Sequence, residues 1–212
     1  QTLVSDKLIA KVDWNINDNN KLSVKNSYVK ATNFSPFRST ATSLNFVNGA
    51  QDFESVTNSA SLELNTRFNN KFSNNLVVGF TTVNDDRDAS GNPFPTVEIR
   101  DGAGTIYFGA EASSTANLLK QRVLTITDNF EINVGKHNIL IGTHNELTYA
   151  KNVFISSNFG RYQFASYDSF MNNLAPSRYR LGYSLIGGSG DESLGAAEFN
   201  MNQFGLYVQD YI

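Results

Sequence analysis

Apolar and polar residues alternate along six stretches of this chain, and the alternation constrains the fold more than any other feature. In the first stretch, Leu8, Val12 and Trp14 occupy one parity of the sequence. Lys11 and Asp13 occupy the other parity. A β-strand directs successive side chains to opposite faces, so each stretch predicts a strand with one apolar face and one wet face. Amphipathic strands of this length are typical of a barrel wall.

The connections between the strands alternate between short turns and long loops. Strands are predicted near residues 7–16, 21–31, 56–68, 72–84, 119–134, 137–153 and 199–212. Long loops are predicted near residues 32–55, 85–118 and 154–198. The short turns contain Asn, Asp or Gly, which tolerate the backbone angles of a tight hairpin. We therefore predict an all-β fold: an antiparallel up-and-down meander of about seven long strands, part of a transmembrane β-barrel, with short turns at one end and long loops at the other.

Composition narrows the class of protein further. Charged residues make up 17% of the chain, against roughly 25% in typical proteins. The net charge is −3 and the basic residues are scattered singly, so no nucleic-acid partner is expected. Cysteine is absent, which excludes a disulfide framework and a cysteine metal site. The chain lacks an apolar run of about 18 residues, which excludes a transmembrane helix, and residues 1–7 do not resemble a signal peptide.

The apolar parity of each strand is predicted to face lipid. A Lys or Arg on the outer face of a barrel costs about 2–4 kcal/mol at mid-depth, so we expect no charged residue on this parity in the first four strands. The opposite, lumen parity carries Lys7, Lys11, Asp13, Lys25, Glu63, Arg67, Glu131 and Glu146. On the apolar parity, Lys120, Arg122 and Lys151 lie near the loop ends. Asp128 is a mid-strand exception, which a β-bulge or a neighbouring strand would have to accommodate.

Aromatic residues are predicted to form two girdles at the membrane interfaces. Trp14, Phe68 and Phe72 lie within a few residues of a short turn. Tyr28 and Tyr149 lie toward the long-loop ends of their strands. The alternative interpretation is that aromatic residues are simply favoured in strands.

The long loops are also rich in aromatic residues, which could bind a ligand or pack against one another. They are Phe34, Phe37, Phe46, Phe53, Tyr107, Phe108, Phe159, Tyr162, Phe164 and Tyr167. Self-packing is the favoured interpretation, so the ligand-binding residues stay unknown. Within the last loop, the apolar spacing over residues 166–174 predicts a short helix with Asp168 in its first turn.

Catalytic chemistry is not expected. No nucleophile elbow, P-loop or dinucleotide-binding glycine pattern is present, so no catalytic residue and no cofactor is predicted. His144 and Glu146 share the lumen parity but offer too few ligands for a metal. Asp85, Asp86 and Asp88 lack the glycine and terminal glutamate of a calcium loop, and we interpret them as a plain acidic loop. The sequence therefore predicts neither an enzyme nor a metal site.

Three segments resemble TonB-dependent outer-membrane receptors. Residues 203–211 contain Tyr207-Val208-Gln209-Asp210 and resemble a receptor strand in which a Tyr-x-Gln-Asp sequence recurs. Residues 135–139, followed by Gly142 and Glu146, are similar to a periplasmic hairpin of these receptors. A third segment is similar to an extracellular loop of the carboxypeptidase-regulatory-domain receptors common in Bacteroidetes; it comprises residues 160–164 with Asp168, Phe170, Pro176 and Tyr179.

This resemblance implies a receptor in the bacterial outer membrane that takes up a scarce or bulky nutrient. Its barrel would have about 22 strands around a plug, so a chain with about seven is expected to be a fragment of the barrel. The implied partners are outer-membrane lipid, the rest of the barrel and the plug domain, the TonB complex, and an unknown nutrient ligand. Two alternatives stay open: a passive porin or adhesin barrel, and a soluble secreted β-sheet protein with a structural or binding role.

Overall fold

The computed structural model describes residues 2–186 and 191–212, which are mainly β-structure. In chain order the strands are β1 (Thr2–Asn17), β2 (Asn20–Ser35), β3 (Ser43–Asn45), β4 (Gln51–Arg67), β5 (Phe72–Ala89), β6 (Thr96–Asp101), β7 (Gly104–Phe108), β8 (Asn117–Val134), β9 (His137–Phe154), β10 (Arg161–Phe164), β11 (Arg178–Arg180) and β12 (Ala197–Tyr211). One α-helix, α1 (Tyr167–Met171), and two 3-10 turns, Val47–Gly49 and Glu192–Gly195, complete the described elements. None of the helices in this part of the chain is long and apolar enough to cross a membrane.

Seven long strands form one antiparallel sheet, which we call the wall. Its strand order is β1-β2-β4-β5-β8-β9-β12, so each long strand is hydrogen-bonded to the long strands that come before and after it in the chain. The up-and-down meander of seven strands expected from the sequence is confirmed. Tight turns join β1 to β2 and β8 to β9, and Gly135 in the second turn has a φ of +64°, which favours glycine. The sheet is not closed in these residues, because β1 and β12 form its two edges.

At the long-loop end the strands continue beyond the ranges expected from alternation. β2 ends at Ser35, β4 begins at Gln51 and β5 ends at Ala89, each several residues further than expected. Asp85 and Asp86 therefore lie within β5, and the interpretation of this segment as an acidic loop was wrong. The physical reason is that strand pairing depends on backbone hydrogen bonds, whereas alternation needs faces of different polarity. Backbone pairing continues there, but side chains no longer have to alternate between apolar and polar.

The wall has one apolar face that nothing in the described chain covers. Leu8, Leu62, Phe80 and Leu206 lie on this face, and their exposed fractions are 66%, 38%, 45% and 88%. Leu62 is paired with Val78 across β4 and β5, in the register that brings the apolar residues of neighbouring strands to the same face. A soluble sheet would bury such a face against a second layer. In the wall the face is open, as lipid contact requires.

The apolar face crosses the wall obliquely. Leu8 of β1 is in a cross-strand row that passes through Tyr28 and Arg122 and ends at Asn200 of β12. The apolar stretch of β12, which includes Leu206, is displaced from that row toward the short turns. Rows of a sheet run perpendicular to its strands, so a level apolar belt drifts across the rows when the strands are tilted. The drift therefore fits strands that cross a membrane at the tilt of a barrel.

Lys30 and Asp128 lie on the apolar face although their side chains are acidic or basic. Lys30 of β2 lies on this parity, paired with Val56, so the expectation of no charge there in the first four strands was wrong. It is at the long-loop end, where its Nζ is 2.7 Å from Oε2 of Glu54. At Asp128 the register of β8 is continuous on both sides, so no bulge turns this residue away. Its carboxylate instead accepts a 2.7 Å hydrogen bond from Nδ2 of Asn74 on the neighbouring strand.

The three long loops fold together into a second sheet, which we call the cap. Its strand order is β11-β10-β6-β7-β3, with parallel pairing of β10 to β6 and of β3 to β7. Most of the buried apolar residues of the described chain belong to the cap or the adjoining end of β9: Ala50, Val97, Ile99, Ala110, Ala112, Ala116, Ala150 and Val153. The long loops predicted from the sequence thus contain short strands that pair with one another. The hydrophobic core thus lies in the cap and at the end of the wall that adjoins it.

Candidate functional site

Alternation along the cap strands gives the cap an aromatic face and a polar face. Ile99, on the aromatic face of β6, is 2% exposed. The ring of Phe170 in α1 packs edge-on against Phe108 and Phe164, with centroids 5.8 Å and 5.2 Å apart. The helix itself was expected with Asp168 in its first turn, which is confirmed, and Ser166 caps it. Of the ten loop aromatics named from the sequence, four pack against another aromatic ring: Phe46, Phe108, Tyr162 and Phe164.

The edge of the cap is also fixed by an aromatic contact. The rings of Tyr162 in β10 and Tyr179 in β11 are 4.6 Å apart on the aromatic face. Gly160, with a φ of +87°, precedes β10, and a Cβ built on it would lie 3.2 Å from the Tyr179 ring. Ser177 Oγ donates a 2.9 Å hydrogen bond to the carbonyl oxygen of Gln163. These contacts hold the short strand β11 in place.

A cavity of about 230 Å³ opens in the cap. The cavity is lined by four of the loop aromatics, Phe37, Phe46, Tyr107 and Phe108, and by Arg161. A volume of this size lies just below the range of about 300–1,000 Å³ typical of small-molecule sites. Phe46 and Phe108 therefore pack against each other and also line the cavity.

The polar face of the cap is organised around one buried carboxylate. The side chain of Glu98 is 7% exposed, and its Oε2 is 2.6 Å from Nη2 of Arg161. Gln163 Nε2 donates to Oε1 of Glu98 at 2.8 Å, and Arg100 Nε lies 3.4 Å from the same oxygen. Burial acts to raise the pKa of Glu98, but the hydrogen bond and charge of Arg161, with help from Arg100 and Gln163, outweigh it and lower the pKa below 4.5. Glu98 is therefore charged at neutral pH and neutralised by its neighbours.

The lumen face of the wall is polar near the short turns. Nδ2 of Asn75 donates to Oε1 of Glu63 at 2.9 Å and to Oδ1 of Asn65 at 2.8 Å. An open concavity of about 940 Å³ lies beside these residues and is lined mainly by Asn, Ser and charged side chains. Such a surface can hydrogen-bond to water or to another polar protein surface.

Two segments that carry the receptor resemblance meet in the wall. Tyr207 of β12 is directly opposite Gly142 of β9. A Cβ on Gly142 would lie 2.3 Å from the Tyr207 ring, so the glycine provides the space in which the ring lies. Beyond Gly142, the Tyr207 hydroxyl donates to Oδ1 of Asn129 at 2.5 Å. The ring thus crosses three neighbouring strands and connects them.

The structure also shows where the expected girdle residues lie. Phe68 and Phe72 both contact Phe130, with ring centroids 6.1 Å and 6.0 Å apart, and form an aromatic cluster at the short-turn end. Trp14 is on the apolar face and 60% exposed. Tyr28 and Tyr149 belong to one cross-strand row nearer the long loops. Their assignment to membrane interfaces stays a prediction. Phe130 was not predicted from the sequence to join the aromatic cluster with Phe68 and Phe72, although it lies on the same parity of its strand as the other apolar residues.

Of the residues considered as metal ligands, His144 and Glu146 hydrogen-bond to neighbouring threonines. Nδ1 of His144 is 2.7 Å from Oγ1 of Thr127, and Glu146 accepts from Thr148. Asp85 faces the opposite side of β5 from Asp86, because they are successive residues of a strand. Within residues 2–186 and 191–212, no group of three or more His, Asp or Glu side chains is placed to hold a metal ion.

A wall of seven long antiparallel strands, with an open apolar face on one side and a polar lumen on the other, defines an outer-membrane β-barrel protein. Consistent with this, a family model described as "Outer membrane beta barrel domain" matches residues 1–212, and the chain belongs to that family. Its location is the bacterial outer membrane.

Among solved structures, the chain is similar to the outer membrane transporter YddB from Escherichia coli, with a TM-score of 0.65 and 12% sequence identity. The similarity covers 98% of this chain and 25% of that chain, so the chain spans about a quarter of the length of the transporter. At this identity the likeness shows the fold alone. No curated protein matches the sequence.

Proposed function

We propose that this chain forms part of the wall and the extracellular loops of a TonB-dependent outer-membrane receptor of the carboxypeptidase-regulatory-domain type. The receptor takes up a scarce or bulky nutrient. Its partners are outer-membrane lipid, the remaining strands of the barrel, a plug domain in the lumen, the TonB complex and the nutrient. The chain has no catalytic role and binds no nucleic acid.

The observation that carries this proposal is the position of the three receptor-like segments. Residues 135–139 lie at the short turn between β8 and β9, where a periplasmic hairpin is expected. Residues 203–211 lie in β12, and Tyr207 packs on Gly142 of the first segment's strand. Residues 160–179 lie in the cap, at the end opposite the short turns, which is the extracellular end in this proposal. Each segment thus occupies the place that the family resemblance implies for it.

The edges of the wall support a larger barrel. The strands β1 and β12 each have one free edge within the described residues. Unpaired backbone groups cannot face hydrocarbon, so both edges need partner strands in the membrane. A barrel of about 22 strands encloses a lumen wide enough to hold a plug, which distinguishes a gated receptor from a smaller open porin.

A passive porin or an adhesin is the remaining alternative, and conductance separates it from a receptor. The full-length protein, reconstituted in a planar lipid bilayer, is expected to show little steady ion conductance because a plug closes the lumen. Collapse of the proton gradient in cells should then stop uptake of the nutrient. A large, steady conductance of the native protein would refute the receptor and favour the porin. The soluble secreted alternative does not agree with the open apolar face or the outer-membrane family.

A further inference from the structure

The cap brings together four arginines that are separate in the sequence. Arg178 and Arg180 of β11 are directly opposite Gln163 and Arg161 of β10. Glu98 of β6 is opposite Gln163 on its other side, and Arg100 follows on the same face of β6. Residues paired across strands share a face of the sheet, so this polar face carries four guanidinium groups and one carboxylate. The excess positive charge stands out in a chain whose net charge is −3.

Glu98 neutralises only part of this charge. Its two carboxylate oxygens are occupied by Arg161 at 2.6 Å, Gln163 at 2.8 Å and Arg100 at 3.4 Å. Its side chain is 7% exposed. Neither Arg178 nor Arg180 is among the partners of Glu98.

Arg178 and Arg180 are exposed and lack an internal partner. Within residues 2–186 and 191–212, neither guanidinium makes a hydrogen bond or an ion pair. Arg180 is also directly opposite Arg161, and like charges at directly opposed positions destabilise a sheet. The Tyr162–Tyr179 contact on the other face nevertheless holds β11 in this register. The two arginines are thus kept side by side at a cost in stability.

A small notch lies between these side chains. It has a volume of about 30 Å³ and is lined by Glu98, Arg161, Gln163, Arg178 and Arg180. A single water needs about 10–15 Å³ on this measure, so the notch has room for a group the size of a carboxylate. Guanidinium groups are planar forks that bind carboxylate or phosphate oxygens in pairs.

We propose that this notch is a binding site for an oxyanion, the carboxylate or phosphate group of a soluble ligand. Arg178 and Arg180 donate to its oxygens, and Arg161, already held by Glu98, forms the floor of the site. The bound anion offsets the repulsion between Arg161 and Arg180. Because β11 belongs to the cap and not to the membrane wall, the ligand arrives from the external solution. A role for this site in the first contact with an imported nutrient rests on the proposed function. The binding of an anion does not depend on it.

The test measures anion binding by the full-length protein in detergent. Inorganic phosphate and succinate are titrated into the protein by calorimetry at low and high salt. We expect binding that weakens with salt, because exposed charges are screened. The double variant Arg178→Gln/Arg180→Gln should lose at least about tenfold in affinity, the scale of one charge-assisted hydrogen bond. The Lys double variant keeps the charge but not the fork, and should lose less.

Arg38→Gln is the matched control, since Arg38 is an exposed arginine of the first long loop outside the cap strands. It should bind both probes as the unmutated protein does. Heat-shifted gel mobility verifies that each variant is assembled. The proposal is overturned if the unmutated protein binds neither probe, or if Arg38→Gln weakens binding as much as the Arg178/Arg180 double variant. Either result leaves the conductance test of the receptor unaffected, so the two proposals fail independently.

Discussion

Val77 and Val78 provide a direct test of which face of the wall contacts lipid. They are identical, adjacent and both half-buried, but they point to opposite faces of β5. Val78 is paired with Leu62 on the apolar face, whereas Val77 is paired with Glu63 on the lumen face. The same substitution to Lys at each position therefore compares lipid with water at one level of the barrel.

The depth of Val78 sets the expected magnitude. Val78 is six positions along the strand from Phe72 at the short-turn end. At roughly 3.4 Å per residue and a tilt of about 40°, this places it about 15 Å into an apolar band about 25 Å tall. Val78→Lys should therefore destabilise the barrel by about 2–4 kcal/mol, toward the lower figure if the long side chain reaches the interface. Val77→Lys gains a neighbouring carboxylate in Glu63 and should cost within about 0.5 kcal/mol.

The assay is denaturant unfolding of the full-length protein in lipid vesicles, followed by gel mobility of unheated samples. The quantity of interest is the difference in unfolding free energy between the two variants. Outer-membrane abundance in cells gives a second readout, because an unstable barrel is degraded. If Val77→Lys proved as damaging as Val78→Lys, the assignment of the two faces would be refuted.

Three further predictions concern the packing of Tyr207 on Gly142, the pH dependence of the cap and the Asp128–Asn74 pair of the wall. Gly142→Ala should lower the free energy of unfolding by about 1–3 kcal/mol in denaturant titrations, because its Cβ would lie 2.3 Å from the Tyr207 ring. Adding Tyr207→Ala to the Gly142→Ala protein should recover part of this stability. A further, additive loss of stability in the double variant would contradict the prediction. Glu98→Gln should weaken the cap by about 1–3 kcal/mol at neutral pH, discounted for the partial exposure of its partner. Because folding lowers the pKa of Glu98, its contribution is present above the ordinary value of 4.5 and is lost as the pH falls through the folded pKa, so proteolysis of the cap should increase in acid for the unmutated protein but change little for the variant. Asn74→Leu alone should destabilise the wall by about 1–3 kcal/mol, since it leaves Asp128 unpaired, whereas the double variant with Asp128→Leu should be near neutral or more stable; a double variant worse than either single would exclude this role for the pair.

The wall could be read from the sequence because its rules are local. Alternation at Leu8, Val12 and Trp14 follows from the geometry of one strand and the solvent on each face. Alternation did not predict the end of β5, where Asp85 and Asp86 continue the strand although the apolar and polar residues no longer alternate. Alternation correctly predicted that Asp128 lies on the apolar face. Its hydrogen bond from Asn74 comes from the neighbouring strand, so the sequence of β8 alone could not predict it.

The sequence by itself determined which residues of each wall strand share the apolar face, where the short turns lie, and that the fold is all-β. These features depend on backbone geometry over a few residues, which every strand expresses alone. Only the tertiary structure decided that the long loops form the cap and that its arginines share one face. The contact of Glu98 with Arg161 joins residues 63 positions apart, through a parallel strand pair that has no local signal. Pairing of distant segments depends on their joint burial and hydrogen bonding, which a periodic pattern in one segment cannot encode.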